Sequence, residues 1–231
     1  MLFLVEAAPA LGAAEQMALD EVLLGLPSGD AFLRFYRWKS PAMTFGYFQS
    51  YGDVLPLARA AGVPDGQIVR RSSGGGAVAH GRDLTFSIAT SWAGFGRPKE
   101  LYRRVHGAVC EGLRSRRLEV GLYSGIAGSA ADGQIGCFQK PVELDLTAAD
   151  GSKVLGGALR KSGGRVLYQG SLQAEALVPG VEGLTSAVLA GLGKLWDPGG
   201  FRPLRLSEGE VEKARSLSDV KYATRQWNQR R

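Results

Sequence analysis

Hydrophobic positions change period several times along the 231 residues, and each change marks an element. Leu2–Val5 (LFLV) is a short apolar run of strand length. From Ala13 to Leu26, Met17, Leu19, Val22, Leu23 and Leu26 recur near helical spacing, and the PSGD that follows breaks the helix. AFLRFYRW alternates Phe32, Arg34, Tyr36 and Trp38 against Leu33, Phe35 and Arg37, an aromatic-rich strand, and AMTFGYF reads as another. DVLPLARAAGV, residues 53–63, predicts a short helix capped by Asp53, with Pro56 tolerated in its first turn. QIVRR leads as a strand into a glycine-rich loop, and LTFSIAT leaves it as a strand. Pro98 to Leu118 is the clearest helix, with Leu101, Val105, Val109, Gly112 and Leu113 along one side. Ser124–Gly136 is small and polar and reads as a mobile loop. VELDLTAADGSKVLGGAL and GRVLYQGSLQ predict three successive strands, with Asp150-Gly151 as a hairpin turn. Helical runs near Leu184–Trp196 and Glu208–Leu217 follow. With no repeat and no linker, the pattern predicts one α/β (α+β) domain over residues 1–231, a mixed, largely antiparallel sheet flanked by helices.

Composition narrows the function classes. Hydrophobic content of 45% and charge of 22% belong to a folded globular chain and exclude disorder. The net charge of +6 favours acidic partners. Its basic residues are scattered apart from small clusters at Arg114–Arg117 and Arg230–Arg231, with no zinc-finger spacing or basic heptads. Nucleic acid is therefore not expected as a partner; a solvated basic face, or one that docks an acidic protein, accounts for the charge. The opening residues have no positive n-region, Glu6 interrupts the apolar run, and MALDEVLL reads as a helix of the mature fold, not a secretory signal. No stretch approaches the ~20 apolar residues of a membrane span. Two cysteines, Cys110 and Cys137, make no disulfide framework, so a reducing cytoplasm is expected, where a free thiol persists as a nucleophile.

The stretch RRSSGGGAVAHGRDLTFS, Arg70 to Ser87, places Gly74, Gly75 and Gly76 between a basic pair and His80. It lacks the Gly-Lys-Ser/Thr of a phosphate-binding loop, and a strand follows where a dinucleotide fingerprint needs a helix. Three glycines let a ligand approach main-chain N–H groups with no Cβ in the way. They also serve a plain hairpin turn, so residue types alone leave both readings open. Cys137 follows the small polar segment and precedes FQKPVELDL, where a thiol is accessible; Lys153 lies on the strand returning from the Asp150-Gly151 turn. A neighbouring cation favours the thiolate, which is the nucleophile. Cys110, on the apolar side of a helix, reads as a small buried hydrophobe.

Five blocks in order, QMALDEVLL, LRFYRWKSPAMTFGYFQ, RRSSGGGAVAHGRDLTFS, GSKVLGGAL with YQGSL, and KYATRQWN, resemble the lipoate–protein ligase A / octanoyltransferase family from about Glu15 to Asn228. The resemblance implies a fold like the catalytic domain of biotin protein ligase. It implies that Arg70, Arg71, Gly74, Gly75, Gly76, Ala77 and His80, with Gly156 and Ala158 of the later block, bind the acyl group and its activated head. It further implies that Lys153 contacts the reacting carbonyl.

CFQKPVELDL and RDLTFS are similar to the cysteine-type octanoyltransferases of Gram-positive bacteria. That branch implies Cys137 and Lys153 as the catalytic pair, no metal and no cofactor. Its partners would be acyl carrier protein as donor and lipoyl-accepting domains (glycine cleavage H protein or dehydrogenase E2 subunits) as acceptors. The same family also contains lipoate ligases, which would require ATP and Mg and leave Cys137 a bystander; a non-catalytic acyl- or lipoyl-domain-binding protein is the third reading. Gly81 stands where the family usually has Asp, Leu159 lies in a GGALRK that replaces the usual GSAQ, and Gln169 stands where a histidine commonly precedes the glycine.

Overall fold

The structure, a computed structural model, describes residues 1–6, 9–26, 30–125, 136, 140–173, 177, 181–196 and 200–230. In chain order the elements begin β1 (Leu2–Val5), α1 (Ala13–Leu24), β2 (Ala31–Tyr36), β3 (Ala42–Phe45), α2 (Tyr51–Ala60), β4 (Ile68–Arg70), β5 (Val78–His80) and β6 (Leu84–Ser91). They continue α3 (Pro98–Arg114), β7 (Val120–Leu122), β8 (Leu146–Ala148), β9 (Lys153–Ser162), β10 (Arg165–Leu172), α4 (Val181–Trp196) and β11 (Arg202–Leu204). Last come α5 (Glu208–Leu217), a π-helical turn at Ser218–Tyr222, and α6 (Arg225–Asn228).

Eight strands form the main sheet in the order β11-β1-β2-β6-β10-β9-β8-β7. Its β1 pairings, to β2 and β11, are parallel and the rest are antiparallel, as the strand pattern predicts. A smaller sheet has the order β4-β3-β5. Because β4 and β5 flank β3 on opposite sides, the glycine loop crosses the end of β3 and does not turn a hairpin. That settles one of the open readings of the loop.

One face of the main sheet packs Phe86, Leu155 and Tyr168 against Leu101 and Val105 of α3 and Leu184 and Leu192 of α4. The two helices touch backbone to backbone. A Cβ at Gly112 would lie 2.0 Å from the Ala187 carbonyl oxygen, and one at Gly191 would lie 1.9 Å from that of Ala108. Helix α1 joins the main sheet, the small sheet and the C-terminal helices, packing Met17, Leu19 and Val22 with Tyr36, Val69, Ala214 and Tyr222. It is covered on most sides, so even its polar Gln16 and Asp20 are buried.

Several boundaries differ from the sequence expectation. Helix α2 starts at Tyr51 with Ser50 as N-cap, so Asp53 lies inside it and Pro56 falls in the second turn. Strands β5, β7 and β11 have three residues each, too few to show a period. Most of Ser124–Gly136 lies outside the described residues. Among the described residues no helix is long and apolar enough to cross a membrane.

Candidate active site

Two rows of side chains cross the main sheet two residues apart. The first runs Arg34, Ser87, Gln169 and Ala158 through β2, β6, β10 and β9; the second runs Tyr36, Thr85, Ser171 and Gly156. A buried carboxylate addresses each row. Asp20, from α1, accepts from Arg34 Nη2 (2.6 Å), Ser87 Oγ (2.6 Å), Gln169 Nε2 (2.7 Å) and Tyr36 Oη (3.2 Å). Asp83 accepts from Thr85 Oγ1 and Ser171 Oγ, both at 2.7 Å, and its Oδ2 lies 2.8 Å from His80 Nδ1. Burial would raise the Asp83 carboxyl, but the adjacent His80 and the two hydroxyls outweigh it and hold the group at about 2.

The glycine loop closes over this floor. Gln169 Oε1 accepts from Ser73 Oγ at 2.6 Å, so a single amide ties α1 to the loop. The Gly74 N–H donates to the Leu159 carbonyl. Arg71 crosses the inside of the loop, donating from Nη2 to the Gly74 and Gly76 carbonyls, each at 2.9 Å, and from Nη1 to Thr44 Oγ1 at 2.8 Å. Gly75 adopts φ +86, and a Cβ on Gly46 would sit 1.9 Å from the Gly75 carbonyl oxygen. Both positions therefore need glycine, one for backbone conformation and one for close approach.

Arg70 has a different task from the one the motif implies. Its five N–H groups donate to the carbonyls of Tyr47, Gln49, Trp227, Asn228 and Arg230. In return Trp227 Nε1 donates to the Arg70 carbonyl, and Asn228 Oδ1 accepts from the Arg70 N–H. Every donor of the guanidinium is used by the chain itself, so Arg70 clamps the C-terminal KYATRQWN block onto β4 and leaves no N–H for a ligand.

His80 stacks on Trp38 with ring centroids 4.0 Å apart, and its Nε2 lies 2.7 Å from Thr44 Oγ1. Thr44 Oγ1 also accepts from Arg71 Nη1, so one hydroxyl joins the loop's brace to the ring. These residues wall a narrow cleft that holds about 380 Å³ of empty space, its open mouth included. Arg71, Gly75, His80, Gly156 and Ala158, all expected site residues, line it together with Met17 and Trp38. The lining does not include Arg70, Gly74, Gly76, Ala77 or Lys153.

Lys153 points its ammonium at Asp145, Nζ to Oδ2 2.7 Å, with both side chains buried. Burial raises the Asp145 carboxyl, and Lys153 opposes that rise. Nearby, His106 of α3 is fully buried between the Leu144 carbonyl and the Tyr168 hydroxyl. Burial pushes the ring down to about 4. Cys110 is buried with its Sγ 3.7 Å from the Val120 carbonyl, and burial pushes its thiol up. Cys137 lies outside the described residues. Gly136, which precedes it in the chain, pairs as an isolated parallel bridge with Ala77 at the end of the glycine loop. Asp20, Asp83, Thr44, Asp145 and His106 escape sequence reasoning because each is a single polar residue that meets partners on other elements, up to 149 positions away for Asp20 and Gln169.

A fold with this site defines a class. The sequence profile of the lipoyl protein ligase A/B catalytic domain matches residues 12–184, and the chain belongs to that family. Octanoyltransferase LipM of Carboxydothermus hydrogenoformans is 35% identical over 173 residues, covering 69% of this chain and 60% of that protein. The LipM of Symbiobacterium thermophilum is 28% identical over 94% of each chain. The match thus spans about 60% of the length of several curated relatives that the chain matches. Among solved structures, a lipoate-protein ligase A bound with ATP superposes with a TM-score of 0.77 at 22% identity, covering 99% of this chain and 97% of that one. The bi-partite lipoate protein ligase of Thermoplasma acidophilum gives 0.74 at 22% identity, covering 99% and 95%. At that identity the likeness establishes the fold.

Proposed function

We propose that the protein transfers an octanoyl group from acyl carrier protein, through a thioester on Cys137, to the lysine of a lipoyl-accepting domain. The acceptors are glycine cleavage H protein or dehydrogenase E2 subunits. The observation that carries this reading is the Ala77–Gly136 bridge, which sets the backbone just ahead of Cys137 against the glycine loop. The LipM relatives support the same activity.

In this mechanism the Cys137 thiolate attacks the carbonyl of the carrier thioester. The tetrahedral intermediate expels the carrier's thiolate, which takes up a proton, and the octanoyl group stays on Cys137 as a second thioester. The acceptor amine then attacks that carbonyl, forms the amide, loses a proton and releases the cysteine thiolate. An acyl thioester is already activated, so no nucleotide, metal or other cofactor enters the scheme. The apolar walls of the cleft, Met17 and Trp38 among them, suit the acyl chain, which gains about 0.8 kcal/mol per buried CH₂. Gly75 brings bare backbone to the same cleft, where a main-chain N–H serves a developing oxyanion. Arg71 acts by holding the loop's shape. Lys153 supplies an ammonium donor whose orientation Asp145 sets. The net charge of +6 suits acidic carrier and acceptor domains.

The test is product formation on a lipoyl domain from octanoyl-acyl carrier protein without ATP or magnesium. Transfer under those conditions supports the reading. Modification only from free lipoate plus ATP, undiminished in Cys137→Ala, assigns the chain to ligation instead, and no modification from either donor leaves binding without catalysis.

A further inference from the structure

We propose that His106 is a positioning residue for Lys153: its imidazole pins the Leu144–Asp145 turn, and that turn presents the carboxylate that orients the ammonium. This rests on the reading of Lys153 as the donor to the acyl carbonyl. His106 belongs to none of the sequence blocks and lies on α3, away from the lining of the cleft.

The geometry runs in one direction through four groups. His106 Nδ1 lies 2.6 Å from the Leu144 carbonyl oxygen and Nε2 lies 2.8 Å from the Tyr168 hydroxyl. A carbonyl only accepts, so Nδ1 carries the ring proton and the neutral ring accepts from Tyr168 at Nε2. Leu144 has φ 74, a left-handed conformation that a non-glycine residue keeps only where its surroundings hold it. The surroundings are specific. The Leu144 N–H donates to the Tyr123 carbonyl at 2.9 Å, the Tyr123 N–H donates to the Asp145 carbonyl at 2.8 Å, and His106 takes the Leu144 carbonyl. Asp145 then closes the turn on itself, its Oδ2 accepting from the Val142 N–H at 2.8 Å, and the same oxygen meets Lys153 Nζ at 2.7 Å.

The other end of the ring is fixed as firmly. The Tyr168 ring lies over Gly157 and Gly170, where added Cβ atoms would come within 2.5 and 2.8 Å of it. Those two glycines also line the cleft. His106 therefore refers the lysine's partner to the same piece of sheet that shapes the acyl site. A ring kept neutral by burial adds no second cation to compete for Asp145.

The experiment compares two double variants that avoid leaving the tyrosine hydroxyl unpaired. His106→Asn/Tyr168→Phe keeps an N–H near the Nδ1 position, whereas His106→Leu/Tyr168→Phe removes it. Trace acetylation with acetic anhydride, read by peptide mass spectrometry, reports how freely Lys153 reacts relative to Lys221, which pairs with Glu21 elsewhere. Lys153 should label several-fold faster in the leucine double variant and in Asp145→Asn than in wild type or the asparagine double variant, with Lys221 unchanged in all four. In transfer assays the leucine double variant should lose kcat by roughly 10–100-fold with little change in KM, and the asparagine double variant should recover most of it. Equal Lys153 labelling in the two double variants overturns the proposal. Should the leucine variant fail to fold, His106→Asn alone decides: labelling at the wild-type level supports the relay, and labelling at the Asp145→Asn level overturns it. A wild-type protein that transfers no octanoyl group would remove the functional reading, and the labelling comparison would still test the relay.

Discussion

Lys153 Nζ lies 2.7 Å from Asp145 Oδ2, with 3% and 6% of the two side chains exposed. A lone ammonium would bias a neighbouring thiol through its net charge, but this pair carries none, so its field is short-ranged. What remains is directional. The carboxylate fixes where the ammonium aims. The lysine is better understood as an oriented donor than as a source of positive potential.

Breaking that pair should cost more than deleting it. Lys153→Met strands a buried carboxylate and should destabilise by about 3–5 kcal/mol, and adding Asp145→Asn should recover a large part. Urea unfolding of both variants measures this. A double variant no more stable than Lys153→Met would show that the two side chains do not depend on each other.

Acid should weaken the fold in two steps. His106 titrates at about 4 when folded against 6.5 ordinarily. Between those values the unfolded chain binds a proton that the folded ring refuses, so stability falls as pH drops from 6.5 to 4, by about 3 kcal/mol. Asp83, held at about 2 against 3.8, adds a loss of about 2 kcal/mol below pH 4, as its carboxylate is forced to protonate. Asp145 works the other way, since a raised carboxyl favours the folded state as pH falls. The His106→Asn/Tyr168→Phe variant should flatten the upper step and Asp83→Asn the lower one in unfolding curves taken across this range.

Gly46→Ala should disrupt the site, because its Cβ meets the Gly75 carbonyl at 1.9 Å and backbone cannot yield as a side-chain tip can. A loss of about 1–3 kcal/mol and a larger fall in turnover are expected. Gly66→Ala, whose Cβ meets nothing within 4 Å, serves as the control and should stay within ~0.5 kcal/mol. Equal behaviour of the two would mean that the loop tolerates displacement.

Gln169→Leu should cost about 1–3 kcal/mol by leaving Asp20 and Ser73 each short of a partner. Amide hydrogen exchange should rise in the glycine loop while the strands of the main sheet stay protected. Unchanged exchange at residues 72–76 would show that the loop is held without this link.

Much of the architecture was legible because long elements repeat their pattern. Strands β2, β6, β9 and β10 and helices α1, α3, α4 and α5 all follow from apolar spacing. Strands of three residues carry no period, and β5 in particular was absorbed into the glycine-loop motif. The motif also marked Arg70 and Arg71 as equals. Only tertiary contact separates a clamp on the C-terminal block from a brace inside the loop. Asp20 and Asp83 were invisible for a related reason: a carboxylate in an amphipathic pattern reads as a solvent-facing residue, whereas here each lies over a polar row of the sheet. Gln169, which departs from the family pattern, occupies the junction of α1 and the loop.

The central claim is that the acyl group passes through Cys137. Incubation with octanoyl-acyl carrier protein, without ATP, followed by intact mass measurement tests it directly. The account predicts one octanoyl adduct on the wild-type chain that hydroxylamine removes. It should be retained in Cys110→Ser, whose thiol is buried, and absent from Cys137→Ser. An adduct that persists in Cys137→Ser, or a wild-type chain that never acquires one while still modifying a lipoyl domain from free lipoate and ATP, would contradict it.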